Sequence, residues 1–189
     1  KGNPSGEASA RGLLQEGEGG GVTRAFALET LSISVVRVHF IPLLIGFGIN
    51  PNTAALASGS IGIMQVAGRV FFAPLESRFS SKTMVVGVFM LLGFSIVLLL
   101  FGSSPLLLIL FIILFGMAVG TFTLARPLIV ADVWGATFYG RISSVMAIFV
   151  TLSRTVAPVG AGVLFDSFGN YAPMLYLVTV FSIISIILI

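Results

Sequence analysis

The sequence predicts an all-α integral membrane domain made of six transmembrane helices. Three observations carry this expectation. Of 189 residues, 57% are hydrophobic and only 9% are charged, with mean hydropathy +1.11; a soluble domain carries roughly a quarter charged residues. The apolar residues gather in six runs, each near the ~20 residues that a helix needs to cross a ~30 Å hydrocarbon layer. The Lys and Arg residues between those runs fall in alternate connections.

The elements follow in order. Residues 1–25 (KGNPSGEASARGLLQEGEGGGVTRA) are rich in Gly, Ser and Glu. Such a segment buries too little apolar surface to offset the entropy of ordering, so it is expected to be a flexible cytoplasmic linker. A 26–189 transmembrane domain comes next, with spans at about 26–48, 52–74, 83–102, 105–130, 141–164 and 171–189. Inside lipid every backbone N–H and C=O needs an internal partner, which makes these runs helices rather than open strands. Turn chemistry separates them: Asn50-Pro51-Asn52, Ser80-Ser81, Gly102-Ser103-Ser104-Pro105, and Gly169-Asn170 ahead of Pro173. The chain opens on Lys1 with no charged segment before an apolar one, so no signal peptide is expected. It stops at Ile189 inside an apolar run. Both ends look cut, and a fragment of a longer protein is expected.

Loop charge sets the orientation. The second connection carries Arg69, Arg78 and Lys82 at its edges, and the fourth carries Arg141. The first, third and fifth carry no Lys or Arg. The second and fourth connections, with the linker, are therefore expected on the cytoplasmic side. A short pattern also recurs. Ala73-Pro-Leu75-Glu-Ser77-Arg78-Phe79-Ser80 follows the second span, and Gly162-Val-Leu164-Phe-Asp166-Ser-Phe168-Gly169 follows the fifth, 89 residues later. An odd number of spans separates them, which predicts a three-plus-three inverted repeat.

Composition narrows the function classes. No Cys means no disulfide and no thiolate metal site. The ten basic residues are scattered, without the patch or stripe that nucleic acid binding needs. The single His, no metal-ligand cluster and no nucleophile–base set give an enzyme little support. Neither a metal nor a cofactor is implied.

The G-x-L-x-D-x-x-G of residues 162–169 resembles the loop motif of the major facilitator superfamily. In the copy after the second span, Ser77 stands where that family has Asp, and Ala73 and Ser80 where it has Gly; Arg78 and Lys82 keep the basic positions. Longer strings resemble its bacterial branch related to monocarboxylate and oxalate/formate carriers: His39-Phe-Ile-Pro42-Leu-Leu, Gly62-Ile-Met-Gln65-Val-Ala-Gly68-Arg69, Leu124-Ala-Arg126-Pro127-Leu-Ile-Val-Ala131 and Tyr139-Gly140-Arg141-Ile142. The resemblance covers about residues 26–189. It implies the C-terminal half of a twelve-helix secondary transporter in the bacterial inner membrane. The partner it implies is a missing N-terminal six-helix half.

Ionisable groups at bilayer depth are the candidate functional residues, because each costs at least ~2.5–3.5 kcal/mol to insert. Arg37 lies eleven residues into the first span, about 16 Å at 1.5 Å per residue, and shares a face with Thr30 and Ser34. Arg154 lies thirteen residues into the fifth, on a small and polar face with Ser144, Ala147, Thr151, Pro158 and Ala161. In oxalate-type carriers the equivalent helix presents a basic residue to the substrate, and Arg154 matches it in order along the chain. The family's other basic partner belongs on the second span, where this chain has Gln65 and, near the end, Arg69. Arg37, Arg154 and Gln65 are thus the expected substrate contacts. Arg126, near a span end, is expected to snorkel or pair with Asp132 in a gating role. Arg69, Arg78, Lys82 and Asp166 are expected gating and motif residues. His39 is a possible proton site, with packing as its alternative. Glu29, Glu76, Asp132 and Asp166 are all expected at span ends, leaving no acid at mid-membrane. Cations without acids favour a small anionic substrate held by guanidinium forks. The competing expectation is a non-transporting or self-pairing half-transporter, which six more apolar spans upstream of Lys1 would exclude.

Overall fold

The computed structural model of the chain describes residues 18–101 and 104–189. The expected linker over residues 1–17 lies outside the described residues. Six helices are seen: α1 (Glu18–Gly46), α2 (Pro51–Glu76), α3 (Ser81–Leu100), α4 (Pro105–Gly135), α5 (Thr137–Phe168) and α6 (Ala172–Leu188). The first five are long and apolar enough to cross a membrane; α6 is shorter, with 17 residues.

Local chemistry sets the helix boundaries. Asn50 Oδ1 accepts from Asn52 N at 2.9 Å, and Pro51 takes the first turn of α2, where its missing N–H costs nothing. Ser80 Oγ accepts from Thr83 N at 3.3 Å to open α3. Gly169, at φ 68°, ends α5 in the left-handed conformation that a glycine adopts freely.

Two boundaries differ from expectation. The linker was expected to run to residue 25, but α1 already turns at Glu18. Its first glycines allow a tight seam: a Cβ on Gly21 would stand 2.6 Å from Leu188 O of α6. Val22, Ala25 and Phe26 are then buried and hold the extra turns. The fourth and fifth spans also meet without a loop. They are divided at Gly135, whose φ of 67° and ψ of 176° only glycine tolerates. Gly135→Ala is expected to cost about 1–3 kcal/mol, read as a lower unfolding temperature in detergent. Gly140→Ala, with nothing within 4 Å of the added Cβ, is the control that should not lose stability.

Neighbouring helices run antiparallel. The C-terminal ends of α1, α3 and α5 and the start of α6 meet at one 790 Å³ cleft, at Phe47, Leu100, Gly169 and Tyr171. Two aromatic clusters tie α1 to the middle of the bundle. Phe26 of α1 packs 5.1 Å from Phe89 of α3 and 5.2 Å from Phe122 of α4. Phe40 packs 5.3 Å from Phe111, which stacks on Phe115 at 4.9 Å. Between α2 and α4 the backbones touch. A Cβ on Gly68 would collide with Met117 O, and one on Gly120 with Gln65 O; on Gly116 it would stand 2.8 Å from Ile61 O. Gly116 and Gly120 are spaced as small residues at membrane helix contacts are.

Burial is uneven. In the best membrane-length window, half of α1 and of α3 is buried, against 17% of α2 and of α5. Leu56, Ile63 and Val66 of α2 and Ile148, Leu152 and Val159 of α5 stand exposed. Four helices also carry an interior proline: Pro42 in α1, Pro74 in α2, Pro127 in α4 and Pro158 in α5. Each lacks the N–H that would bond the carbonyl four residues earlier.

Candidate functional site

The turn at Gly135 folds α5 back along α4, so residues on either side of it face one another. Arg126 of α4, half-buried, donates from Nη2 to the Ser143 carbonyl of α5 at 3.4 Å. Farther along α5, Arg154 reaches the same place. The two arginines line a 230 Å³ cleft with Thr123, Tyr139 and Ser143, and no carboxylate lines it. Pro127 sits beside Arg126 and leaves the Thr123 carbonyl without its helical donor. Thr123 Oγ1 donates to Gly120 O at 2.7 Å. The two guanidiniums are near enough to repel each other, and that repulsion grows as water is excluded. The cleft therefore offers two cationic forks, a hydroxyl-bearing ring and free carbonyl capacity. Chemically it is suited to hold a small anion.

The expected site residues divide. Arg154 lines this cleft, and so does Arg126, which the sequence placed at a gate or on Asp132; its hydrogen bond goes to Ser143 O of α5. Arg37 is exposed on α1 and Gln65 is half-buried on α2. Neither lines the cleft. Arg69, Arg78 and Lys82 are exposed at the α2 end and the start of α3. Asp166 is exposed in the last turn of α5, with the Tyr171 phenol nearby.

His39 joins helices. Its Nε2 lies 3.2 Å from Pro158 O, so that nitrogen carries a proton and donates it, and its ring sits 5.8 Å from that of Tyr171. His39→Phe keeps the ring contact and drops the hydrogen bond. The expected loss is about 0.5–1.5 kcal/mol, read by thermal unfolding in detergent.

One residue corrects the expectation that no acid lies at depth. Glu29 is fully buried, nine residues inside the first membrane-length residue of α1. A span beginning at residue 26 puts Glu29 near its end, whereas α1 begins at Glu18. Ser182 Oγ donates to its Oε1 at 3.2 Å. The available signal is the hydroxyl pair Ser182 and Ser185, three residues apart on a mostly apolar α6.

Five membrane-length helices packed into one bundle, with a cationic cleft between two of them, define a multi-pass membrane protein. The sequence matches the family model of the Major Facilitator Superfamily over residues 25–189, and the chain belongs to that family. The proteins of this family are secondary transporters, not enzymes. No curated protein matches the chain.

Proposed function

We propose that the chain is the C-terminal six-helix half of a secondary transporter that moves a small organic anion, such as a monocarboxylate, by alternating access. The observation that carries this reading is the cleft in which Arg126 and Arg154 face each other with no acid among the lining residues. Two neighbouring cations without a counter-charge are stabilised when an anion visits, and the planar forks suit a carboxylate. Arg126 thereby joins Arg154 as a substrate contact. The exposed faces of α2 and α5 are where an N-terminal six-helix half would pack, with Arg37 and Gln65 reaching toward the space between the halves. Arg69, Arg78 and Lys82 would make gating contacts at the cytoplasmic end. Arg78, Lys82 and Arg141 on that side fit an inner-membrane protein with its linker in the cytoplasm. The two motif copies close α2 and α5, which end on opposite faces of the bundle, and this supports an inverted three-plus-three repeat.

The test is uptake of labelled lactate, formate and oxalate into proteoliposomes holding the full-length carrier. Each charge-assisted hydrogen bond is worth about 1.5–3 kcal/mol, so Arg154→Gln and Arg126→Gln should each weaken apparent affinity by about tenfold or more. Unchanged uptake in both variants overturns the site. Uptake of none of the three anions overturns the substrate class.

A further inference from the structure

Between α1 and α6 lies a second polar place that the anion cleft does not use. Its centre is the Glu29 carboxyl, at 0% exposure. Ser182 Oγ donates to Oε1 at 3.2 Å, and Oε2 has no hydrogen-bond partner among the described residues. Ser185 faces the same carboxyl, and its Oγ also lies 2.8 Å from Phe181 O. One helical turn along, Ser32 Oγ lies 3.3 Å from Val178 O, so the seam is hydroxyl-lined beyond Glu29 as well.

Among the described residues, no counter-charge faces this carboxyl. On α1 the nearest cations in sequence, Arg24 and Arg37, are exposed. From α2 and α3, Arg69 and Lys82 are exposed. From α4 and α5, Arg126 and Arg154 are turned into the anion cleft. From α6 only Ser182 and Ser185 face the acid. A carboxylate so placed would lose its hydration and gain only neutral hydroxyls in return, and groups in that position neutralise instead.

We propose that Glu29 is a proton-binding site distinct from the anion cleft, carried protonated inside the α1–α6 seam and releasing its proton only when that seam opens to water. The proton is taken up on Oε2 from water on one side of the membrane and leaves to water when the seam opens to the other side. A carrier with such a site moves a proton with each opening and closing of the seam, whichever anion the cleft takes.

Two measurements on the full-length carrier in lipid test this. The first is infrared difference spectroscopy at neutral pH. Wild type should show a protonated-carboxyl C=O band that Glu29→Gln lacks. Ser182→Ala, which keeps the acid and removes the donor to Oε1, should move that band. No such band, or a band unchanged in both variants, overturns the proposal. The Ser182→Ala arm decides the question if Glu29→Gln fails to fold. The second is uptake of labelled lactate with and without a pH gradient. In Glu29→Gln the gradient-driven component should be lost while exchange without a gradient persists; equal stimulation in variant and wild type overturns the coupling. Lactate uptake absent from wild type under both conditions would count against the anion reading alone, because the infrared band is read without substrate.

Discussion

Replacing Gly120 by Leu is expected to cost the domain its folded state in detergent. A Cβ at this position collides with the Gln65 carbonyl of α2, which is backbone and cannot swing aside. Relief requires α2 and α4 to separate. Gly68 and Gly116 sit against the same helix pair, so separation at one point opens all three. Forcing extra atoms into a packed core costs about 1–3 kcal/mol where side chains can adjust, and more where they cannot. Such a loss takes much of the roughly 5–15 kcal/mol that holds a typical domain folded. The measurement is the fraction of protein that elutes as a single species after heating, with Gly62→Ala as the comparison. Gly62 lies on α2 with nothing within 4 Å of an added Cβ. There the gain in helix propensity, about 1 kcal/mol, should leave stability equal or higher. Equal behaviour of Gly120→Leu and Gly62→Ala would remove the case for a glycine-mediated α2–α4 contact.

Removing one of the paired arginines should raise stability in the absence of anion and abolish stabilisation by anion. Arg126 and Arg154 repel across their cleft, and no acid lining it relieves them. Gln in place of either removes the repulsion while keeping a polar head. A ligand that binds only the folded state stabilises by about 2.7 kcal/mol at one hundred times its dissociation constant, which wild type should show with a carboxylate anion and the variants should not. The sign separates this from a structural role. An arginine that held the fold by an ion pair would lower stability when replaced. Thermal unfolding of wild type, Arg126→Gln and Arg154→Gln, each with and without oxalate, checks both halves of the expectation.

The helices were legible because lipid leaves the backbone few alternatives. A run of about twenty apolar residues must hydrogen-bond within itself, and Asn50, Pro51 and Ser80 announce where such runs start. Less legible was the meeting of side chains from different helices. Arg126 and Arg154 stand 28 residues apart in the chain, and only the turn at Gly135 puts them in one cleft. Nothing in the spacing of a straight helix shows that turn, since it depends on one residue entering a backbone region closed to the others. Glu29 was misjudged for a related reason. Gly19, Gly20 and Gly21 look like linker, yet Gly21 lies against the α6 backbone and α1 extends back to Glu18. Arg37 stands out by its depth and by sharing a face with Thr30 and Ser34, and neither says which neighbour that face meets.

The interior prolines sort the bundle by stiffness. A helix bends where a proline interrupts its hydrogen-bond ladder, and α1, α2, α4 and α5 each hold one such joint while α3 and α6 hold none. The jointed helices include both arginines of the cleft and the two least-buried helices of the domain. Pro127 lines the cleft of the two arginines, so one of the four joints lies where Arg126 and Arg154 meet. A spin label on α3 should keep its distance to one on α6 while labels on α4 and α5 change theirs.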